Sequence, residues 1–316
     1  MTGLPAALYG DPPPSPHAPA TTLAQAIPSG GHNLNALLYT AAGEGPHPTI
    51  LLLHGLPGNE QNIDLAQSLR RAGWNVLTVH YRGSWGGPGQ FSFEHCVEDA
   101  AAALDWLSRT GAGHRIDPAR ILVIGHSMGG FVAAQLCAAQ ADVLGAVLLS
   151  CVDLGRAFGS SDIELSAAKI DQNVGTSAGL HILAGTSPRS LAEEARVNAD
   201  RWRLAAIGAR LADRPLLIVT SDDGFSTAGK GLAAAVQAIG GGSLSVAHFA
   251  TDHSYSDCRI ALQARVLDWL QQHYPFPPAP IRERKGTLND PERNDLAGPR
   301  CSGKSIQVHG MADGSQ

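Results

Sequence analysis

The chain has 316 residues, of which 44% are hydrophobic, and this is enough to bury one large core. Its formal net charge of −5 at pH 7, without runs of Lys or Arg interleaved with aromatic residues, argues against nucleic acid as a partner. No segment reaches the roughly 20 apolar residues of a membrane span, and the N-terminus lacks the pattern of a secretory signal. We therefore predict a cytoplasmic protein.

The predicted elements begin after a Pro-rich segment. Residues 1–28 hold six prolines between positions 5 and 19, which favour an extended, loosely ordered arm. Short apolar runs then predict seven strands, at residues 34–39, 49–53, 75–80, 121–124, 145–149, 216–220 and 245–249. Amphipathic runs between them predict five helices, at residues 63–72, 95–109, 128–140, 227–238 and 257–273. This alternation predicts an α/β fold over residues 29–274, with a mostly parallel central sheet and helices on both faces.

The alternation is interrupted once, at residues 153–212. This segment shows helical patterning without a buried strand, including a helix predicted over 190–206 that a capping box of Ser190 and Glu193 would open. We interpret the insertion as a small helical cap over the ends of the sheet.

The C-terminal tail, residues 275–316, is polar and rich in helix breakers, so we predict disorder. Residues 298–305, GPRCSGKS, match the phosphate-loop pattern G-x-x-x-x-G-K-[ST]. A working phosphate loop follows a buried strand and opens a helix, whereas the preceding residues are polar and eleven residues remain after Ser305. We therefore reject nucleotide binding.

The cysteines indicate neither disulfides nor a metal site. Five are present, scattered and without CxxC or Cys/His ligand spacing: Cys96, Cys137, Cys151, Cys258 and Cys301. We expect reduced thiols, no metal and no cofactor.

The sharpest local signal is Gly125-His126-Ser127-Met128-Gly129, which fits the G-x-S-x-G nucleophile elbow. The apolar residues 121–124 supply the required strand and residues 131–134 the required helix. Ser127 is therefore the predicted nucleophile, while the neighbouring His126 is expected to pack away from it.

A serine hydroxyl needs a base to remove its proton, and His253 is the predicted base because it follows the last strand and precedes the last helix. The third group is a carboxylate after the penultimate strand, where Asp222 and Asp223 are adjacent. We favour Asp223, which lies further into the turn, and expect Asp222 to cap the turn or face solvent. For the oxyanion hole we predict the backbone N–H groups of Met128 and of Leu56, in the loop after the strand at 49–53.

Together these residues resemble the α/β-hydrolase superfamily, and more narrowly the catalytic domain of prolyl-oligopeptidase and dienelactone-hydrolase relatives without a propeller. The similarity rests on HGLPGN from His54, HYRGSWGGPG from His80, GHSMGG from Gly125, TSDDGF from Thr220 and TDHSYSD from Thr251. It implies cofactor-free hydrolysis of a small-molecule carboxylic ester, or of a small amide, through an acyl-enzyme. Acyltransferase or peptidase activity, or ligand binding without catalysis, remains an alternative, and the oligomeric state is not predicted.

Overall fold

The computed structural model describes residues 3–173 and 180–275. At its centre lies an eight-stranded sheet in the order β1-β2-β4-β3-β5-β6-β7-β8. The strands are β1 (Thr21–Ser29), β2 (His32–Thr40), β3 (His47–Leu53), β4 (Asn75–Val79), β5 (Ile116–His126), β6 (Val143–Leu149), β7 (Leu216–Ser221) and β8 (Leu244–Phe249). Only the β1–β2 and β2–β4 pairs are antiparallel. The predicted mostly parallel sheet is confirmed.

Helices cover both faces of the sheet. They are α1 (Ile63–Arg71), α2 (Phe93–Thr110), α3 (Met128–Ala139), α4 (Leu154–Phe158), α5 (Ile163–Asn173), α6 (Pro188–Val197), α7 (Gly208–Leu211), α8 (Ser226–Ala238) and α9 (Arg259–His273). One core contains side chains of α2, α3 and α8, and the other contains side chains of α1 and α9. Leu51 and Leu53 of β3 enter the first core, while Ile50 and Leu52 enter the second. This alternation explains why the central strands contain uninterrupted apolar runs, as at residues 50–53 of β3 and 121–124 of β5.

The structure corrects the predicted arm over residues 1–28, because its last part forms β1. The strand pairs with β2 along its length, and the Ser29 hydroxyl donates to Asp99 Oδ1 of α2 at 2.6 Å. As an edge strand, β1 buries few side chains, Ile27 among them, and it tolerates Pro28 because half of its N–H groups need no partner in the sheet. Because β1 buries few side chains and contains a proline, it lacks the apolar run that predicts a strand.

The chain between β6 and β7 is helical in its described part, residues 150–173 and 180–215, and contributes no strand to the sheet there. The predicted capping box at Ser190 and Glu193 is wrong. Ser187 is the N-cap of α6: its Oγ accepts from the Ser190 N–H at 3.1 Å, and the Ser190 Oγ accepts from the Ser187 N–H at 2.9 Å. Pro188 sets this start, since proline suits the first helical position, and the helix ends at Val197 instead of residue 206.

Within residues 3–173 and 180–275, none of the helices combines the length and apolar character that a bilayer crossing requires. The cytoplasmic location stays a prediction. The tail from residue 276 onward, with the phosphate-loop match at 298–305, lies outside the described residues.

Candidate active site

Ser127 lies between the end of β5 and the start of α3, in a backbone conformation that L-residues rarely adopt. Its φ is 59° and its ψ is −121°, a strain that only well-packed surroundings maintain. Gly125 and Gly129 make the sharp turn possible. A Cβ at Gly125 would overlap the carbonyl group of Gly129, and one at Gly129 would overlap the carbonyl oxygen of Leu53. The elbow thus holds the serine at the carboxyl end of the parallel strands, where the loops that follow β7 and β8 also meet.

The structure brings His253 and Asp223 together. His253, in the loop after β8, donates from Nδ1 to Asp223 Oδ2 at 2.8 Å. The carboxylate also accepts the Phe225 N–H at 2.8 Å, and its side chain is 1% exposed. Burial alone would raise the pKa of Asp223, but hydrogen bonds from His253, Ser150 and the Phe225 N–H outweigh it and lower this pKa to about 2. Asp223 therefore remains ionised beside the imidazole.

Asp222 has a different environment. Its side chain is 65% exposed, and it accepts a hydrogen bond from His248 Nε2 at 3.1 Å. His248 lies on β8 and also contacts the Thr220 hydroxyl at 2.9 Å through Nδ1. Of the two roles expected for Asp222, the structure shows exposure to solvent, and Asp223 closes the turn through the Phe225 N–H.

A cavity of about 230 Å³ adjoins these groups. Ser127, Asp223 and His253 line it together with Leu56 and Met128. Among the described residues, the Ser127 hydroxyl forms no hydrogen bond with the His253 imidazole. Such contacts are often loose in an unliganded site and tighten with substrate.

The rest of the cavity wall is apolar and was not predicted from the sequence. It consists of Val152, Leu154, Phe158, Ile170 and Phe225. Leu154 and Phe158 belong to α4, and Ile170 belongs to α5, so the helical segment between β6 and β7 forms one side of the cavity. Nothing in an apolar helical pattern distinguishes a residue that lines a cavity from one that fills a core.

The predicted oxyanion donors border the same cavity. Met128 is the first residue of α3, where backbone N–H groups have no partner inside the helix. Leu56 follows Gly55, which packs so closely on Ser127 that an added Cβ would lie 2.8 Å from the serine Cβ. Among the described residues, neither the Leu56 nor the Met128 N–H donates a backbone hydrogen bond. Both remain available to a ligand.

Two buried histidines flank the site. His126 donates from Nε2 to the carbonyl oxygen of His253 at 2.8 Å, and His54 contacts the carbonyl oxygen of Gly55 at 2.8 Å through Nδ1. The other ring nitrogen of each is buried and has no hydrogen-bond partner among the described residues. Burial lowers the pKa of His126 to about 3 and that of His54 to about 4. His126 therefore packs as expected, but it also holds the loop that carries His253.

Comparison with known proteins supports this description. Residues 50–289 match the alpha/beta hydrolase family. An uncharacterized protein of Mycobacterium tuberculosis is 38% identical over 99 residues, 31% of this chain and 34% of that protein. Lysophosphatidylserine lipase ABHD12 of Danio rerio is 32% identical over 101 residues, 31% of this chain and 25% of that protein. These matches span about a third or less of the curated relatives.

Among solved structures, the carboxylesterase EstE1 from a metagenomic library superposes with a TM-score of 0.56. The match has 24% identity and covers 80% of this chain and 91% of EstE1. A mostly parallel sheet with a strained serine at a strand-to-helix elbow defines an α/β protein of the hydrolase type. The chain belongs to the alpha/beta hydrolase family. The narrower likeness to prolyl-oligopeptidase relatives stays a prediction.

Proposed function

We propose that this protein is a serine hydrolase that cleaves small-molecule carboxylic esters through an acyl-enzyme. The observation that carries the proposal is the 2.8 Å bond between His253 and the buried, ionised Asp223, in a cavity that Ser127 also lines. The carboxylate fixes the tautomer with a proton on Nδ1, which leaves Nε2 as the base. A base oriented in this way is what a serine nucleophile requires.

In the proposed reaction, the Ser127 Oγ attacks the ester carbonyl carbon while its proton passes to His253 Nε2. The N–H groups of Leu56 and Met128 stabilise the resulting oxyanion, and the start of α3 adds its positive dipole end. The C–O bond to the alcohol then breaks, and the alcohol leaves with the proton from the imidazolium. Water hydrolyses the acyl-enzyme by the same steps, which regenerates the Ser127 hydroxyl and releases the acid.

The cavity wall indicates the acyl or alcohol group that fits. Leu154, Phe158 and Ile170 offer apolar surface without a charge, so a hydrocarbon chain gains from burial there. We therefore propose esters with an apolar chain next to the scissile bond.

The decisive experiment compares Ser127→Ala with Ser108→Ala, a change at a helix serine that does not line the cavity. With p-nitrophenyl esters, Ser127→Ala should reduce kcat by about 10⁴- to 10⁶-fold while the melting temperature stays close to that of the wild type. A fluorophosphonate probe should label the wild type and Ser108→Ala but not Ser127→Ala. Retention of more than a tenth of the activity by Ser127→Ala, or a wild type that resists the probe and cleaves none of the esters, would refute the proposal.

A further inference from the structure

A second cleft lies directly against the candidate active-site cavity. Its volume is about 260 Å³, and it shares Phe158 and Phe225 with the cavity. The helix α5 borders both spaces with consecutive residues, since Ile170 lines the cavity and Lys169 lines the cleft. A ligand chain that extends from Ser127 along the apolar wall would therefore reach the cleft past the two phenylalanines.

The ionisable residues that line this cleft are mostly basic. They are Arg156, Lys169 and Asp153. Asp153 is 8% exposed, and its two carboxylate oxygens accept backbone N–H groups from Arg156 at 2.9 Å and Leu204 at 3.0 Å. The aspartate charge is thus largely engaged by the ends of helical segments, whereas the Arg156 side chain takes part in none of the ion pairs between described residues.

The neighbouring cavity has the opposite character. Its wall is mostly apolar, and Asp223, the carboxylate among the described residues that line it, is bonded to His253. A cavity with an apolar wall that adjoins a cleft lined by two cations suits a molecule with a hydrocarbon chain and an anionic end. The hydrocarbon gains from burial, and an anionic oxygen group gains charge-assisted hydrogen bonds from the guanidinium and the ammonium.

We propose that this cleft, with Arg156 and Lys169, binds an anionic oxygen group at the end of the substrate remote from the scissile ester. The substrate class is then an ester whose apolar chain ends in a carboxylate or a phosphate. This inference rests on the proposed function, because it names the substrate of the same Ser127 site.

The test uses mono-p-nitrophenyl esters of linear dicarboxylic acids of increasing length, paired with the same esters capped as neutral methyl esters. A third series ends in a phosphate, which distinguishes a carboxylate from a phosphate as the anionic group.

The wild type should prefer an anionic ester over its neutral counterpart by about tenfold in kcat/KM at one chain length, and the preference should fall as NaCl is added. In the double variant Arg156→Gln, Lys169→Gln the ratio should approach one. The control Arg210→Gln removes an exposed cation outside the cleft and should keep the wild-type ratio.

Calorimetric titration of Ser127→Ala with the same esters separates the two proposals, because it measures binding without turnover. Tighter binding of the anionic ester that depends on Arg156 and Lys169, without turnover by the wild type, would support the cleft and refute the hydrolase. Turnover of neutral esters without anionic preference at any length, or a preference that survives the double variant, would refute the cleft and leave the hydrolase standing.

Discussion

Asp222 and Asp223 are neighbours in the chain, yet their carboxylates have opposite environments. The Asp223 side chain is 1% exposed and bonds the His253 imidazole, whereas the Asp222 side chain is 65% exposed and bonds His248 on the edge strand. A buried hydrogen bond to a charged group contributes more than an exposed one, because water does not compete for it. The two residues therefore form a matched pair for mutation.

We predict that Asp223→Asn lowers kcat by about 10⁴-fold, because an amide cannot hold the imidazole in the same tautomer or stabilise its charge. Asp222→Asn, which keeps nearly the same volume on the surface, should change kcat by less than about fivefold, which corresponds to about 1 kcal/mol. Steady-state kinetics on one activated ester measure both effects. A severe loss of kcat confined to Asp222→Asn would show that Asp222, and not Asp223, supports His253.

Among single residues, the sequence predicts those whose proposed role requires a fixed position relative to a strand or a turn. Ser127 is recognisable because the elbow needs glycines at fixed positions, and His253 because its loop follows the last strand. Asp223 is distinguished from Asp222 only by its place in the turn. The contact of Ser150 with Asp223 joins two loops that are distant in the chain, and no spacing rule encodes it.

The helices α4 and α5 form one side of the cavity. Leu154, Phe158 and Ile170 lie on these two elements, while the elbow and the proposed base and acid lie on the sheet and the loops that follow it. For the proposed hydrolase, substrate selectivity and chemistry would then belong to different elements, so that selectivity could change without loss of the reaction.

We predict that Ile170→Ala shifts the preferred p-nitrophenyl ester towards longer chains and that Ile170→Trp shifts it towards shorter ones. Each change should alter the ratio of kcat/KM between long and short esters by about tenfold, the usual effect of one or two methylene groups in an apolar pocket. Leu165→Ala is the control, because Leu165 lies on the same helix, is 49% exposed and does not line the cavity. An unchanged chain-length profile in both Ile170 variants would contradict this assignment.

The elements themselves are predictable where burial on both sides gives a strand an uninterrupted apolar run, as at residues 50–53 of β3 and 146–149 of β6. The edge strand β1 was missed because its inward-facing positions include the polar residues Thr21, Gln25 and Ser29, and because Pro28 argues against a strand. The start of α6 was misplaced because two serines compete for the N-cap, and Pro188 decides between them.

At the scale of the whole molecule, the buried histidines His54 and His126 couple stability to pH. Burial lowers their pKa values in the folded protein to about 4 and about 3, below the ordinary value of 6.5. The unfolded chain therefore binds more protons than the folded one below pH 6.5. The contribution of these two histidines to stability should be complete above that pH and should be lost as the pH decreases towards about 3.

We predict that the free energy of unfolding, measured with urea between pH 7 and pH 4, falls by up to about 1.4 kcal/mol per pH unit for each histidine. His126→Phe removes one titrating group while it keeps an aromatic ring, so it should flatten the slope. His32→Asn, at an exposed position on β2, should leave the slope unchanged. A slope that His126→Phe does not alter would show that other groups govern acid unfolding.

The hydrogen bond from His126 to the carbonyl oxygen of His253 has a consequence for where the site would open first. The loop that carries His253 follows β8, an edge strand with no fully buried side chain. Edge strands of this kind exchange their amide protons readily through local opening. His126 belongs to β5, in the interior of the sheet, and fastens the loop to it. This hydrogen bond opposes opening of the edge next to Ser127, so we expect the amide protons of the loop around His253, the proposed base, to exchange more slowly than those of β8.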